Sequence, residues 1–196
     1  MEEWTTEQKI IQAADKIFTR KGYAATRTRD IAEEAGTNLA LINYYFGSKE
    51  KLYKYVVKEK LKMLLSAIAP VVSDEQISIE EKVRAITENY TDLLLKNEEL
   101  PLFILNEWSV NKHLFADIIQ NTRQVAQPAI EKQLKERGLD ITVQDLIINT
   151  LGMTLFPFIA KQLILSSGLV QEDAFVDLVT GRKERIPEWI GKITDK

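Results

Sequence analysis

The chain has no cysteine, a single histidine, and only eight glycines and five prolines in 196 residues. Without cysteine there are no disulfides and no thiolate metal sites, which agrees with a reducing cytoplasm as the expected location. The one histidine, His113, reads as a surface residue in an Asn-Lys-His stretch and lacks the partners a metal or a nucleophile would need. No glycine-rich phosphate loop is present. Paired carboxylates such as Glu80-Glu81 and Glu98-Glu99 read as solvated helix ends. An enzyme is therefore not expected, nor is a cofactor. Long apolar runs are also missing: the longest uncharged stretch, residues 146–160, is interrupted by Asn149, Thr150, Thr154 and Pro157 and is too short to span a bilayer. The opening MEEWTTEQ is acidic where a secretory signal is basic, so no membrane partner and no export are expected.

What the chain does contain points to helices. Ala, Leu, Glu, Lys and Ile are plentiful, 45% of residues are apolar, and few glycines or prolines interrupt the runs. This composition predicts an all-α fold with a substantial core. The net charge of −3 is unevenly spread. Residues 1–62 hold 12 Lys and Arg against 9 Asp and Glu, and the remainder holds 14 against 20. The basic excess thus lies in the amino-terminal third, where it would favour a polyanion.

Hydrophobic spacing and capping signals divide the chain. A helix is predicted over 6–21, with Thr5 and Gln8 at capping-box spacing and Ile10, Ala14, Ile17 and Phe18 as its apolar stripe. Short helices follow over 28–35 and 39–46, parted by Gly36, and Ser48 caps a long helix over 49–69 that Pro70 closes. Residues 71–78 read as a linker. Beyond it, helices are predicted over 79–97, 101–111, 114–137, 143–167, 171–180 and 187–193, with a kink at Pro157. The domains expected are a head over 1–48, a connecting helix over 49–70 and a body over 71–196.

The informative stretch is TRDIAEEAGTNLALINYYFGSKE, residues 28–50. Two short helices joined by a glycine turn, the second carrying amide and phenol groups beside apolar ones, have the layout of a helix-turn-helix that reads a DNA groove. The second helix begins after Gly36-Thr37-Asn38, so its first turn should face the major groove. Asn43 can pair bidentately with adenine, and Leu39, Ala40 and Leu41 can meet thymine methyl groups. Tyr44 and Tyr45 can donate to phosphates, and Lys49 adds a positive charge at a helix start. Phe46 reads as core.

At Gly22-Tyr23, Thr26, Arg29-Asp30-Ile31-Ala32, Ala35-Gly36, Ile42, Tyr45-Phe46 and Ser48-Lys49-Glu50, the chain resembles the tetracycline-repressor (TetR) family of bacterial transcription regulators. The resemblance covers about a quarter of the chain. It implies a three-helix head, a larger helical ligand-binding body, and a homodimer built on the last two long helices. It also implies that the two heads read a palindromic operator on double-stranded DNA, and that a small-molecule effector releases it. Thr28 and Arg29 match positions where that family contacts the DNA. The chain departs from the family pattern at Leu39-Ala40 and at Asn43. It departs again at Arg27, where a Ser or Thr usually caps the helix, so Thr28 is expected to cap instead.

In the body, Tyr90, Phe103, Trp108 and Phe156 are candidate pocket walls, with ordinary core packing as the alternative for each. The helix over 143–167 is apolar nearly all round. Its Ile147, Leu151, Leu155, Ile159 and Leu163 are assigned to a dimer interface, with deep burial within one body as the alternative. The expected function is a dimeric DNA-binding regulator, a repressor by preference, with a helical protein-interaction adaptor lacking DNA binding as the alternative.

Overall fold

The computed structural model describes residues 4–194, apart from the side chains at 113, 114, 117–119, 121–126 and 194. The side chain of His113 is therefore outside the described residues. Every regular element among the described residues is helical, as expected: α1 (Thr6–Ala25), α2 (Thr28–Glu34), α3 (Leu39–Phe46), α4 (Lys49–Ser66), α5 (Ala69–Ser73), α6 (Ile79–Lys96), α7 (Leu100–Val110), α8 (Lys112–Glu136), α9 (Val143–Ile159), α10 (Lys161–Ser166) and α11 (Phe175–Thr194), with a single 3-10 turn at Glu172–Ala174. None is long and apolar enough to cross a membrane among the described residues. The chain forms two compact units, Met1–Leu61 and Lys62–Lys196, and α4 passes from one to the other.

The first unit is built as its capping signals dictate. Thr5 and Gln8 exchange hydrogen bonds in a complete capping box at the start of α1. The regular run of α1 breaks at Gly22, whose φ of 73° lies outside helical space, and one more turn follows to Ala25. Ile10, Ala14, Ile17 and Phe18 of α1, Ile31 and Ala32 of α2, Ile42 of α3, and Leu52, Val56 and Val57 of α4 are all buried in this unit. Gly36 turns the chain between α2 and α3 at φ +61°, a conformation that costs a residue with a Cβ about 1 kcal/mol or more.

The second unit packs α6 against α8, α9 and α11. Its core joins Val83, Ile86 and Tyr90 of α6, Ile130 and Leu134 of α8, Leu146 of α9, and Ile186 and Ile190 of α11. Capping boxes start α6 at Ser78–Glu81 and α9 at Thr142–Asp145.

Several sequence expectations are corrected here, and prolines account for most of them. The long connecting helix ends at Ser66, and Pro70 sits in the first turn of α5, where its missing N–H costs nothing. The stretch 71–78 is therefore partly helical. The helix expected over 143–167 is interrupted at Ala160 (φ −93°, ψ 12°), three residues beyond Pro157, so α9 and α10 are separate. Conversely, Pro187 lies inside α11, which joins the two short helices expected there into one of 20 residues.

Candidate nucleic-acid interface and effector cavity

The helix α3 has eight residues and only one of them, Ile42, is buried; its side chain is fully enclosed in the core of the first unit. That single anchor fixes the roll of the helix, and Leu39, Ala40, Asn43 and Tyr44 are left exposed. Tyr44 projects furthest, at 80% exposure, and its ring meets Tyr45 edge-on at 5.2 Å. Leu39, Leu41 and Tyr45 are each a little more than a third exposed. Neither leucine is buried, so α3 offers solvent a surface of mixed methyl, amide and phenol chemistry. Phe46, read from the sequence as core, is only partly buried and lies 6.0 Å from the ring of Tyr55.

Two residues of the expected reading set, Asn38 and Lys49, have other tasks. The Asn38 side-chain oxygen accepts the Leu41 N–H at 3.0 Å and so serves as the N-cap of α3. The Lys49 ammonium donates to the carbonyl oxygens of Tyr23 and Thr26, both at 3.0 Å, and lies 4.1 Å from the centre of the Tyr23 ring. It ties the α1–α2 connection to the start of α4 rather than standing free toward a phosphate. Thr28 does not cap α2: the N-cap is Arg27, and it makes no side-chain capping bond. The Thr28 side chain is partly buried, while those of Arg27 and Arg29 are exposed.

Ion pairs hold α2 against α1. Lys21 meets Asp30 at 2.8 Å, and Lys16 meets Glu34. The lysine hydrogen bonds hold both carboxyl groups below their ordinary range, and coulombic attraction from the same lysines adds to this. Both carboxylates lie at the surface, so solvent screens these pairs.

The second unit holds a partly open cavity of about 330 Å³. Its walls are aliphatic: Leu65 from α4, Ile68 between α4 and α5, Val83 and Ile86 from α6, and Ile147 and Leu151 from α9. Four polar residues join them, Lys82, Gln127, Gln144 and Thr150. Lys82 is almost wholly buried and donates to the carbonyl oxygens of Asp74 and Ile77. Desolvation lowers its pKa against the opposing pull of Asp74, Glu75 and Glu81. The Thr150 hydroxyl is buried without a hydrogen-bond partner among the described residues.

The aromatic residues named from the sequence as pocket walls do not line this cavity. Tyr90 is enclosed in the core, where burial pushes its phenol well above the usual range, and Phe103 is also buried. Trp108 is 47% exposed and stacks near Phe115, and Phe156 is 59% exposed on the outside of α9. The assigned interface residues divide as well. Ile147 and Leu151 face the cavity, Leu155 and Ile159 are partly buried, and Leu163 is exposed on α10. The outward side of α9 is instead carried by Ile148, Gly152 and Phe156, four residues apart. Lys82, Gln127 and Thr150 had not been singled out from the sequence. Thr150 left a trace there, as one of the few polar residues in the apolar run 146–160.

The pattern that defines the bacterial regulatory proteins of the tetR family matches residues 10–56. Among curated proteins, the chain is similar to the "Probable HTH-type transcriptional regulator YttP" of Bacillus subtilis (strain 168), 26% identical over 168 residues, which cover 82% of this chain and 80% of that one. It is also similar to the HTH-type nicotine-responsive transcriptional repressor HdnoR of Paenarthrobacter nicotinovorans. That match is 28% identical over 133 residues, which cover 65% of this chain and 66% of the repressor. Among solved structures, a TetR-like transcriptional regulator from Rhodococcus sp. RHA1 superposes over 100% of both chains with a TM-score of 0.61 at 21% identity.

Proposed function

The chain belongs to the tetR family of bacterial regulatory proteins, and from that premise we propose that it is a homodimeric repressor whose hold on a palindromic operator is set by a small molecule bound in its body. The observation that carries the DNA-reading part is the face of α3. A helix anchored by one isoleucine and exposing Leu39, Ala40, Asn43 and Tyr44 fits the major groove as a reading element does. Asn43 supplies the bidentate contact to adenine. Leu39 and Ala40 supply apolar contacts to thymine methyl groups. Tyr44, Tyr45, Thr28 and Arg29 engage the sugar-phosphate backbone and set the register. Asn38 and Lys49 hold the reading helix and its surroundings in place.

Dimerisation is supported by the outward side of α9 and the neighbouring edge of α11. Ile148, Phe156, Trp189 and Ile193 are all exposed there, an apolar area of the kind that marks an interface. Effector control is supported by the cavity, whose wall includes Leu65 of α4, the helix that begins in the head. A ligand that repositions α4 in two linked protomers alters the separation of their heads. A coupling of about 1–3 kcal/mol changes operator affinity about 5–150-fold. The match to a repressor named as nicotine-responsive supports the same reading.

Selection of bound fragments from random double-stranded DNA tests this function. The expected product is an inverted repeat whose half-sites lie about one helical turn, ~34–36 Å, apart. Recovery of a single asymmetric site, or of no consensus, would contradict it.

A further inference from the structure

We propose that the cavity takes an uncharged, mainly aliphatic molecule with one hydrogen-bonding group, and that this group meets the hydroxyl of Thr150. The inference rests on the effector reading above and narrows it to a ligand class.

Buried helical threonines usually satisfy themselves on the carbonyl four residues back. Thr87 does so on Val83 at 2.8 Å, and Thr154 on Thr150 at 2.7 Å. Thr150 has the same opportunity on α9 and does not take it. Thr150 is 2% exposed and lines the cavity, and its hydroxyl has no hydrogen-bond partner among the described residues. A buried hydroxyl left unpaired is unfavourable, and a ligand atom that donates to it or accepts from it removes that penalty.

The remaining lining decides the charge of the ligand. Among the described residues that line the cavity there is neither a carboxylate nor an aromatic ring. A cationic ligand would need an opposite charge or a cage of ring faces, and here it would meet the buried ammonium of Lys82. An anion would have to leave water for aliphatic walls whose one cation already donates to two carbonyl groups. A neutral molecule meets neither obstacle. The volume suits one at the lower end of the ~300–1,000 Å³ range of small-molecule sites.

Three probes of equal chain length separate the classes in calorimetric titrations of the full chain: octan-1-ol, octanoate and octylammonium. Octan-1-ol should bind saturably and at least about tenfold more tightly than either charged probe. The near-isosteric Thr150→Val should weaken octan-1-ol about fivefold, the equilibrium effect of one ordinary hydrogen bond. It should also raise the melting temperature of the ligand-free protein by about 2–4 °C, because the orphan hydroxyl is gone. Ile147→Trp, which fills the cavity from α9, should abolish binding of the alcohol. Equal or tighter binding of either charged probe would overturn the neutral class. Unchanged alcohol affinity or a lowered melting temperature in Thr150→Val would overturn the role of the hydroxyl. A protein that binds its operator but not octan-1-ol refutes this inference alone; one that binds octan-1-ol but no inverted repeat refutes the DNA-reading function instead.

Discussion

Among single residues, Asn43 and Lys49 separate reading from support. Asn43 is exposed at mid-helix on α3, and in the proposed reading role its amide would supply base discrimination of about 1–3 kcal/mol. Asn43→Ala should therefore weaken binding to the selected operator by about tenfold or more while leaving non-specific DNA binding unchanged, as read by fluorescence anisotropy. Equal operator affinity in the variant would remove Asn43 from the reading set. Lys49 behaves differently because its ammonium is already bound to the Tyr23 and Thr26 carbonyls. Lys49→Met should lower the stability of the protein by about 1.5–3 kcal/mol in denaturant titrations, the scale of hydrogen bonds to a charged group. The slope of operator affinity against salt should not change. A shallower slope with unaltered stability would return Lys49 to the phosphate contacts. The sequence showed that a lysine stands at the start of α4. It could not show that residues more than twenty positions earlier would occupy its donors.

For the elements, α3 depends on one buried side chain. Ile42→Ala should destabilise the first unit by about 2–5 kcal/mol, because it removes a fully enclosed side chain and leaves a cavity in the core. A loss below about 1 kcal/mol would mean that α3 is held by something other than Ile42. The starts of α1, α3 and α6 were legible because their signals are local: Thr5, Asn38 and Ser78 cap the residues that follow them. The ends of α4, α9 and α11 were not, because a proline ends a helix only where packing fails to compensate. Pro187 is itself buried within α11. On α9, apolar residues serve three surroundings at once. Leu146 belongs to the core, Leu151 lines the cavity and Phe156 is exposed to solvent. A hydrophobic count cannot distinguish these, so the helix read as uniformly apolar. Aromatic size misled in the same way, since Tyr90 fills the core and the cavity wall is aliphatic.

The whole molecule is read here as a pair of chains. The outward residues Ile148 and Phe156 of α9 are exposed in a single chain, 68% and 59% respectively, and burying them on a partner is strongly favourable. Phe156→Arg should convert the protein to a monomer in sedimentation experiments and cut operator affinity sharply, while Leu163→Arg on α10 should do so less. A wild-type protein that sediments as a monomer at micromolar concentration would remove the interface. The charge distribution also belongs to this scale, with the basic excess in residues 1–62 set beside the acidic remainder. The all-helical architecture was fully legible from composition. The division of apolar surface among core, cavity and exterior required the folded chain.

The most direct measurement is a titration of the purified protein with a labelled inverted repeat from the selection and with a scrambled duplex of the same length, at physiological salt. The account predicts two chains per duplex and a preference of about a thousandfold or more for the repeat. Equal affinity for the two duplexes would contradict it.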